Sequence, residues 1–344
     1  MRTAQDTRPR TAVLLQFTGI GDLIWHIQYF KLLAQQSSGD QITIVAQPST
    51  LAKAFIGHEP WVAQIIDHDH RPRREEKRRG KHAGLLGMYR MACELRHGQF
   101  DRLIVFSGRT SRGLIACMSR IPTRLGYGYR WLQRLCLTKG PYIAPYKGPS
   151  LAVYQEASAF MVAHGFCPTP IRPQLQAPET LVHDMQARLA DLPRPLYALA
   201  IGTSEPHKQW GQENFAALAR RLTEQSTGSV LLLGGPAESK LARDIATQVG
   251  SGARHRVAII TDASPLGSAA ALHIADVCVG NDTGMINVAA AVDTPSYVLL
   301  GARQALAHDP AYLHNIRSRS LADITVDLVL SLLLNAPLKA TAQT

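Results

Sequence analysis

The chain has 344 residues, 46% of them apolar and 18% charged, and a formal net charge of +11. That length suits about two domains, each able to bury its own core, and the composition excludes a disordered chain. The five cysteines, Cys93, Cys117, Cys136, Cys167 and Cys278, form no CxxC pair, which speaks against a disulfide frame or zinc site and for reduced, mostly buried thiols in a cytoplasmic protein.

The N-terminal residues MRTAQDTRPR are basic, but the next segment lacks the apolar length and the small-residue cleavage site of a secretory signal. Nowhere does an apolar run approach the roughly 20 residues that span a bilayer. Strand-length apolar runs fall at residues 12–17, 41–46 and 102–106, with helical spacing at 23–34 and 85–95. Residues 71–82 (RPRREEKRRGKH) interrupt the alternation and are expected to form an exposed, mobile basic loop. Beyond a proline-rich stretch from Pro168 to Pro195, strands are expected at 196–201, 229–233, 257–260, 277–279 and 296–300. Helices are expected between them at 214–222, 240–249, 266–273 and 285–292. Strands alternating with helices of this length predict parallel sheets covered on both faces. The fold class is therefore α/β, with two Rossmann-like parallel-sheet domains facing a central cleft, residues 1–175 and 176–344, and ligands at the carboxyl ends of the strands.

Three strand ends carry chemistry. The first reads Phe17-Thr18-Gly19-Ile20-Gly21-Asp22 and runs into an apolar helix. Its two glycines permit close approach of backbone to ligand, and the helix N-terminus favours an anion. A plain tight turn with Asp22 as helix cap fits the same residues. Because a third glycine and an acid ending the second strand are both missing, NAD binding is disfavoured. The second end, Gly202-Thr203-Ser204-Glu205-Pro206-His207-Lys208, offers the hydroxyls and the lysine that a diphosphate needs, or else only a capped helix start. At the third, Asn281-Asp282-Thr283-Gly284 precedes a small-residue helix, whose first N–H groups would face an anion.

Taken in this order and separation, GxGD, GTSxPxKxW, GGPAE and NDTGMINVAAA resemble glycosyltransferase family 9, the lipopolysaccharide heptosyltransferases. Arg124-Leu125-Gly126-Tyr127 and Val298-Leu299-Leu300-Gly301 also resemble that family. The resemblance implies a GT-B fold, with an N-terminal acceptor domain, a C-terminal donor domain, and a C-terminal helix free to pack back on the first. It implies an inverting transferase that needs no metal or other cofactor and moves heptose from a nucleotide-diphosphate heptose, ADP-heptose foremost, to a lipopolysaccharide core.

By that resemblance Asp22 is the general base and Lys208 offsets the departing diphosphate. Thr203 and Ser204 contact phosphate and sugar, Glu238 grips the ribose, and Asp282 lies near the heptose hydroxyls. Thr283 and Gly284 turn amides to the diphosphate, with Gly19, Gly21 and Asn287 completing the donor set. Two positions depart from the family pattern: Asn287 stands where His is usual, and Trp25 stands where a His follows GD, with His26 one place later.

Charge is divided unevenly. Residues 1–175 hold 24 Lys/Arg against 11 Asp/Glu, a balance of +13, whereas residues 176–344 hold 13 against 15, a balance of −2. Such asymmetry points to an anionic partner of the first half. The expected partners are a lipid-linked anionic acceptor and the inner face of the cytoplasmic membrane, where the protein would sit peripherally, met by Arg73, Arg74, Arg78, Arg79 and Arg124. Other readings are a family-9-like transferase with another sugar donor or a protein hydroxyl acceptor, and a sugar-nucleotide epimerase. A nucleic-acid-binding protein is a further reading, against which stands the lack of any helix-turn-helix, zinc-finger or RNP signature.

Overall fold

The computed structural model describes residues 6–72, 76–203 and 205–339. The chain forms two compact units, the first running to Gly148 and resuming at Ala152–Pro173, the second holding Pro149–Leu151 and everything from Gln174. In the first, β1 (Thr11–Leu15), α1 (Ile20–Gln35), β2 (Ile42–Ala46), α2 (Ala52–Ile56), β3 (Val62–Asp67) and α3 (Gly84–His97) lead to β4 (Arg102–Phe106). Then come α4 (Thr110–Ser119), β5 (Thr123–Gly126), α5 (Trp131–Cys136) and α6 (Ala152–Ala163). Its five strands are parallel in the order β3-β2-β1-β4-β5.

The second unit begins with α7 (Glu179–Arg188), inside the proline-rich stretch, and continues with β6 (Leu196–Ala200), α8 (Gln212–Gln225), β7 (Ser229–Leu233) and α9 (Ser239–Gln248). Next in the chain are β8 (Val257–Ile260), α10 (Pro265–Ile274), β9 (Val277–Asn281), α11 (Gly284–Ala291), β10 (Ser296–Gly301), β11 (Leu313–Arg317) and α12 (Val326–Leu334). Its six parallel strands run β11-β10-β9-β6-β7-β8. Both orders reverse direction once, beside the first strand of each unit. Such a reversal opens a crevice at the carboxyl ends of the two strands that flank it. In the first unit these are β1 and β4, and in the second β6 and β9.

Burial explains the apolar runs. Every residue of β1, β2, β6, β7 and β9 is buried, as strands covered on both faces require. In the first unit, Met91 and Leu95 of α3 and Ile115 of α4 close over Leu14, Val45 and Val105. The C-terminal helix contributes Val329, Leu330 and Leu333 to the core of the second unit, where α12 packs on α8.

The described part of the basic loop is mostly exposed, as expected, but its end is tied to the unit. Its Gly80 and His82 are buried, His82 donates its N–H to the Asp69 carbonyl at 2.8 Å, and the Lys81 N–H reaches Asp69 Oδ2 at 3.1 Å. Ion pairs of Arg78 with Asp69 and Glu76, and of Lys81 with Glu94, balance part of its charge from within the unit.

Each unit buries a histidine that resists protonation. His26, enclosed by Phe17, Phe30 and Phe106, is pushed down from 6.5 to about 4 by burial, and burial takes His308 down to about 3. With the folded value below the unfolded one, the unfolded chain takes up protons first as pH falls. Stability should therefore be full above pH 6.5 and decline as pH drops from there toward 4. Urea unfolding across that range should show the decline, and a smaller one for His26→Phe.

Candidate active site

In the second unit the loop after β6 and the start of α11 meet at the crevice between β6 and β9. A buried amide joins them. Asn281, at the end of β9, is fully buried. Its Nδ2 donates to the Ile201 carbonyl and to Gln209 Oε1, both at 2.9 Å, and its Oδ1 accepts the Trp210 N–H at 3.0 Å. Trp210 is in turn anchored, its Nε1 donating to the Ile324 carbonyl and its ring meeting Phe215 edge-on. Both ends of the loop 201–210 are thereby fixed.

Lys208 projects from that loop. Its Nζ lies 2.9 Å from Glu205 Oε1 and 3.6 Å from Asp282 Oδ2. Arg303, beyond β10, approaches the same Asp282 oxygen, with Nε at 3.3 Å. That Nε makes an ion-pair contact but no aligned hydrogen bond, although the guanidinium is anchored by donation to the Leu299 carbonyl at 2.9 Å. Two cations thus converge on one carboxylate beside the N-terminus of α11. The hydrogen bond from Lys208 also holds Glu205 below the usual carboxylate range.

Thr283 is the cap residue of α11, with extended backbone, and Gly284 opens the helix. Asn287 is buried one turn along and donates its amide to the Thr283 carbonyl at 2.9 Å, so it steadies the turn that presents those N–H groups. Thr203 Oγ1 accepts the Glu205 N–H at 3.2 Å. Ser204 lies outside the described residues.

Glu238 follows β7 and packs against the first loop. A Cβ on Gly202 would stand 3.3 Å from its carboxyl carbon, and one on Gly234 only 2.7 Å from its Cβ. A side chain at position 234 would force the acid to shift, and one at 202 would crowd it. Glu238 Oε2 accepts the Gly235 N–H at 2.8 Å. Lys208, Asp282, Thr283, Gly284 and Glu238 thus lie at the strand ends of the second unit, together with Arg303, which no sequence motif marks, and Asn281, the first residue of the NDTG motif.

The first unit repeats the device around Asp22. Its Oδ2 accepts the Gly19 N–H at 2.8 Å, so it serves as the helix cap, and Gly21 is buried within the first turn. Its backbone carbonyl accepts from His26 Nδ1 at 2.6 Å. The buried ring, held neutral, thus ties down the turn that carries the carboxylate. Trp25 is buried beside it. Arg124 spends its guanidinium on the carbonyls of Cys136 and Ile121, at 2.9 and 2.6 Å, and so fastens the start of β5 to the end of α5. Arg79 is exposed, and Arg73 and Arg74 lie outside the described residues.

Residues 88–319 match glycosyltransferase family 9 (heptosyltransferase). Among solved structures, a family 9 glycosyl transferase from Veillonella parvula is 17% identical with TM-score 0.72, over 97% of this chain and 99% of that one. The ADP-heptose lps heptosyltransferase II of E. coli is 18% identical with TM-score 0.69, over 94% and 97%. The E. coli heptosyltransferase WaaC, solved with ADP-2-deoxy-2-fluoro heptose, is 19% identical with TM-score 0.68, over 95% and 100%. Among curated protein sequences none matches at a significant level.

Asn281 offers a direct check on the geometry. Asn281→Ala would leave the buried Trp210 N–H without its partner and take one of two donors from the Ile201 carbonyl, which keeps Gln209 Nε2 at 3.1 Å. A buried donor left unpaired typically costs about 1–3 kcal/mol. Urea unfolding should show a destabilisation of that order, and the loop 201–210 should exchange its amide hydrogens faster.

Proposed function

The chain belongs to glycosyltransferase family 9, and from that premise we propose that it transfers a heptose from a nucleotide-diphosphate heptose, ADP-heptose foremost, to a lipopolysaccharide core acceptor. The observation that carries the donor half is the convergence of Lys208 and Arg303 on Asp282 beside the first amides of α11. A diphosphate oxygen can take over either cation's contact with the carboxylate, and the helix N-terminus adds donors and a partial positive charge. Glu238 is poised for the ribose hydroxyls. The similarity to a heptosyltransferase solved with an ADP-sugar analogue supports the choice of base.

In this reaction Asp22 takes the proton of the acceptor hydroxyl. The hydroxyl oxygen attacks the anomeric carbon, and the bond from that carbon to the phosphate oxygen breaks. Its electron pair leaves with the nucleoside diphosphate, and a single displacement inverts the anomeric centre. The charge that grows on the leaving group falls to Lys208, Arg303 and the amides of Thr283 and Gly284. With these donors in place, no metal is required.

The acceptor half rests on the first unit. Its surplus of positive charge suits a phosphorylated, lipid-linked acceptor on an anionic membrane face. Exposed Leu85, Leu86 and Tyr89 on α3, Leu114 on α4, and Trp131 and Leu135 on α5 lie on helices that pack side by side. Apolar side chains on helices that also carry the exposed Arg90, Arg96 and Arg134 suit peripheral docking in the headgroup region. No helix among the described residues is long and apolar enough to cross a membrane.

Transfer assays with ADP-, GDP- and UDP-linked heptose and hexose test the donor, and only ADP-heptose should support rapid acceptor-dependent release of the diphosphate. A preference for a hexose donor would instead favour the other family-9-like reading. Asp22→Asn should lower kcat by at least about 10²-fold with donor affinity unchanged. Lys208→Ala and Arg303→Ala should weaken ADP binding and lower kcat together. For the membrane face, Leu85→Ser with Leu86→Ser and Trp131→Ser should reduce binding to anionic vesicles while ADP affinity stays as in wild type.

A further inference from the structure

Past the end of β3, the His68 N–H donates to the Ala46 carbonyl at 2.8 Å. The side chain of His68 is fully buried, and neither ring nitrogen has a hydrogen-bond partner. The half-buried His70 lies beside it with ring centroids 4.5 Å apart, and His82, just before α3, at 5.8 Å. Arg112 comes from the first turn of α4, the helix packed on α3. It is only 5% exposed, its Nε has no hydrogen-bond partner, and among the described residues no carboxylate lies within ion-pair reach of it.

The charges acting on His68, His70 and Arg112 come from arginines and histidines, whereas Asp69 and Glu94 act on His82. Arg109 acts on Arg112, while Arg112, His70 and His82 act on His68. His70 feels Arg112, Arg109 and Arg71. Of the neighbouring acids, Asp69 holds Arg78 through Oδ2 while its buried Oδ1 has no hydrogen-bond partner, and Glu94 holds Lys81 and the Nε2 edge of His82; neither is within ion-pair reach of Arg112. A buried guanidinium with no counter-charge is among the costliest arrangements a fold can keep, and the nearby N-termini of α3 and α4 add to the positive field.

We propose that Arg112, with His68 and His70, forms a buried oxyanion site at the carboxyl end of the first sheet, which binds a phosphate or carboxylate group. The guanidinium offers a fork of donors matched to two oxygens of one group, and the ring nitrogens offer more. Exposed Arg109 and Arg71 stand at the rim, where they draw an anion inward. The same field would repel a metal cation. The anion has two sources, free phosphate or a group carried by the sugar acceptor, and only the second rests on the transferase reading.

Thermal unfolding of the full chain in sodium phosphate, against sodium chloride at matched ionic strength and pH, tests the site. Wild type should show a saturable rise in Tm with phosphate, and Arg112→Met should lose that rise while keeping its stabilisation by ADP. Without phosphate, Arg112→Met should melt at or above the wild-type temperature, because the variant buries no unpaired charge. Arg112→Lys keeps the charge without the fork and should bind phosphate at least about tenfold more weakly. A wild type indifferent to phosphate whose Arg112→Met variant melts lower would overturn the proposal and leave Arg112 a framework residue. So would a phosphate response that both variants retain.

Kinetics then separate the two sources. An Arg112→Met rise in KM for a phosphorylated acceptor, absent for the dephosphorylated one, assigns the anion to the acceptor and supports the site. An unchanged KM with phosphate stabilisation still lost assigns it to free phosphate and supports the site equally. Failure of ADP to stabilise wild type would count against the donor reading alone.

Discussion

The second unit depends on one buried side chain placed where two strands part. Asn281 uses both ends of its amide to hold the loop after β6, and the next residue in the chain is Asp282, the carboxylate that Lys208 and Arg303 approach. A single turn of backbone therefore fixes both the loop that carries the lysine and the acid that meets it. The strand order makes this possible, because β6 and β9 are neighbours whose following segments depart in opposite directions. Buried amides of this kind tolerate no loss of a partner, which is why such geometry is held tightly.

The two units handle positive charge in opposite ways. In the second, Lys208 and Arg303 lie close to Asp282 and Glu205, so the cations are held in place at little desolvation cost. In the first, Arg112 is buried among histidines and other arginines. The first arrangement suits exchange, since an incoming anion swaps for a carboxylate already at hand. The second suits capture, since an incoming anion relieves a charge that nothing else in the described chain offsets. Asp22 and Glu238 show the reverse economy, one device used twice: an acid three residues after a glycine accepts that glycine's N–H at a strand end.

The parts of the fold legible in the sequence follow the physics of sheet position. The central strands are buried on both faces, so they stood out as unbroken apolar runs. The three strands that went unread, β3, β5 and β11, are all sheet edges and carry residues such as Gln64, Arg124 and Asn315, as edges do. Helix α7 was hidden among prolines that looked like a plain connection. Asp22 and the Asp282–Gly284 turn stood out through glycines and helix starts and Lys208 through the hydroxyls around it, whereas Glu238 stood out only through the family resemblance. Arg303 was not, since an arginine in a loop has no local signature and its role exists only through its distance to Asp282. Arg112 and His68 were unreadable for the same reason, being far apart in sequence, one on α4 and one past the end of β3. The basic loop was legible as an exposed segment, but the engagement of Arg78 and Lys81 by Asp69, Glu76 and Glu94 has no signature in a run of arginines.

On the proposed function, the crevice between β6 and β9 receives the diphosphate of a nucleotide sugar. The most direct measurement is a crystal structure of the full chain with ADP. The diphosphate should sit at the amides of Thr283 and Gly284, with Lys208 and Arg303 turned from Asp282 to phosphate oxygens and the ribose against Glu238. ADP bound away from α11, or bound there with both cations still on Asp282, would contradict it.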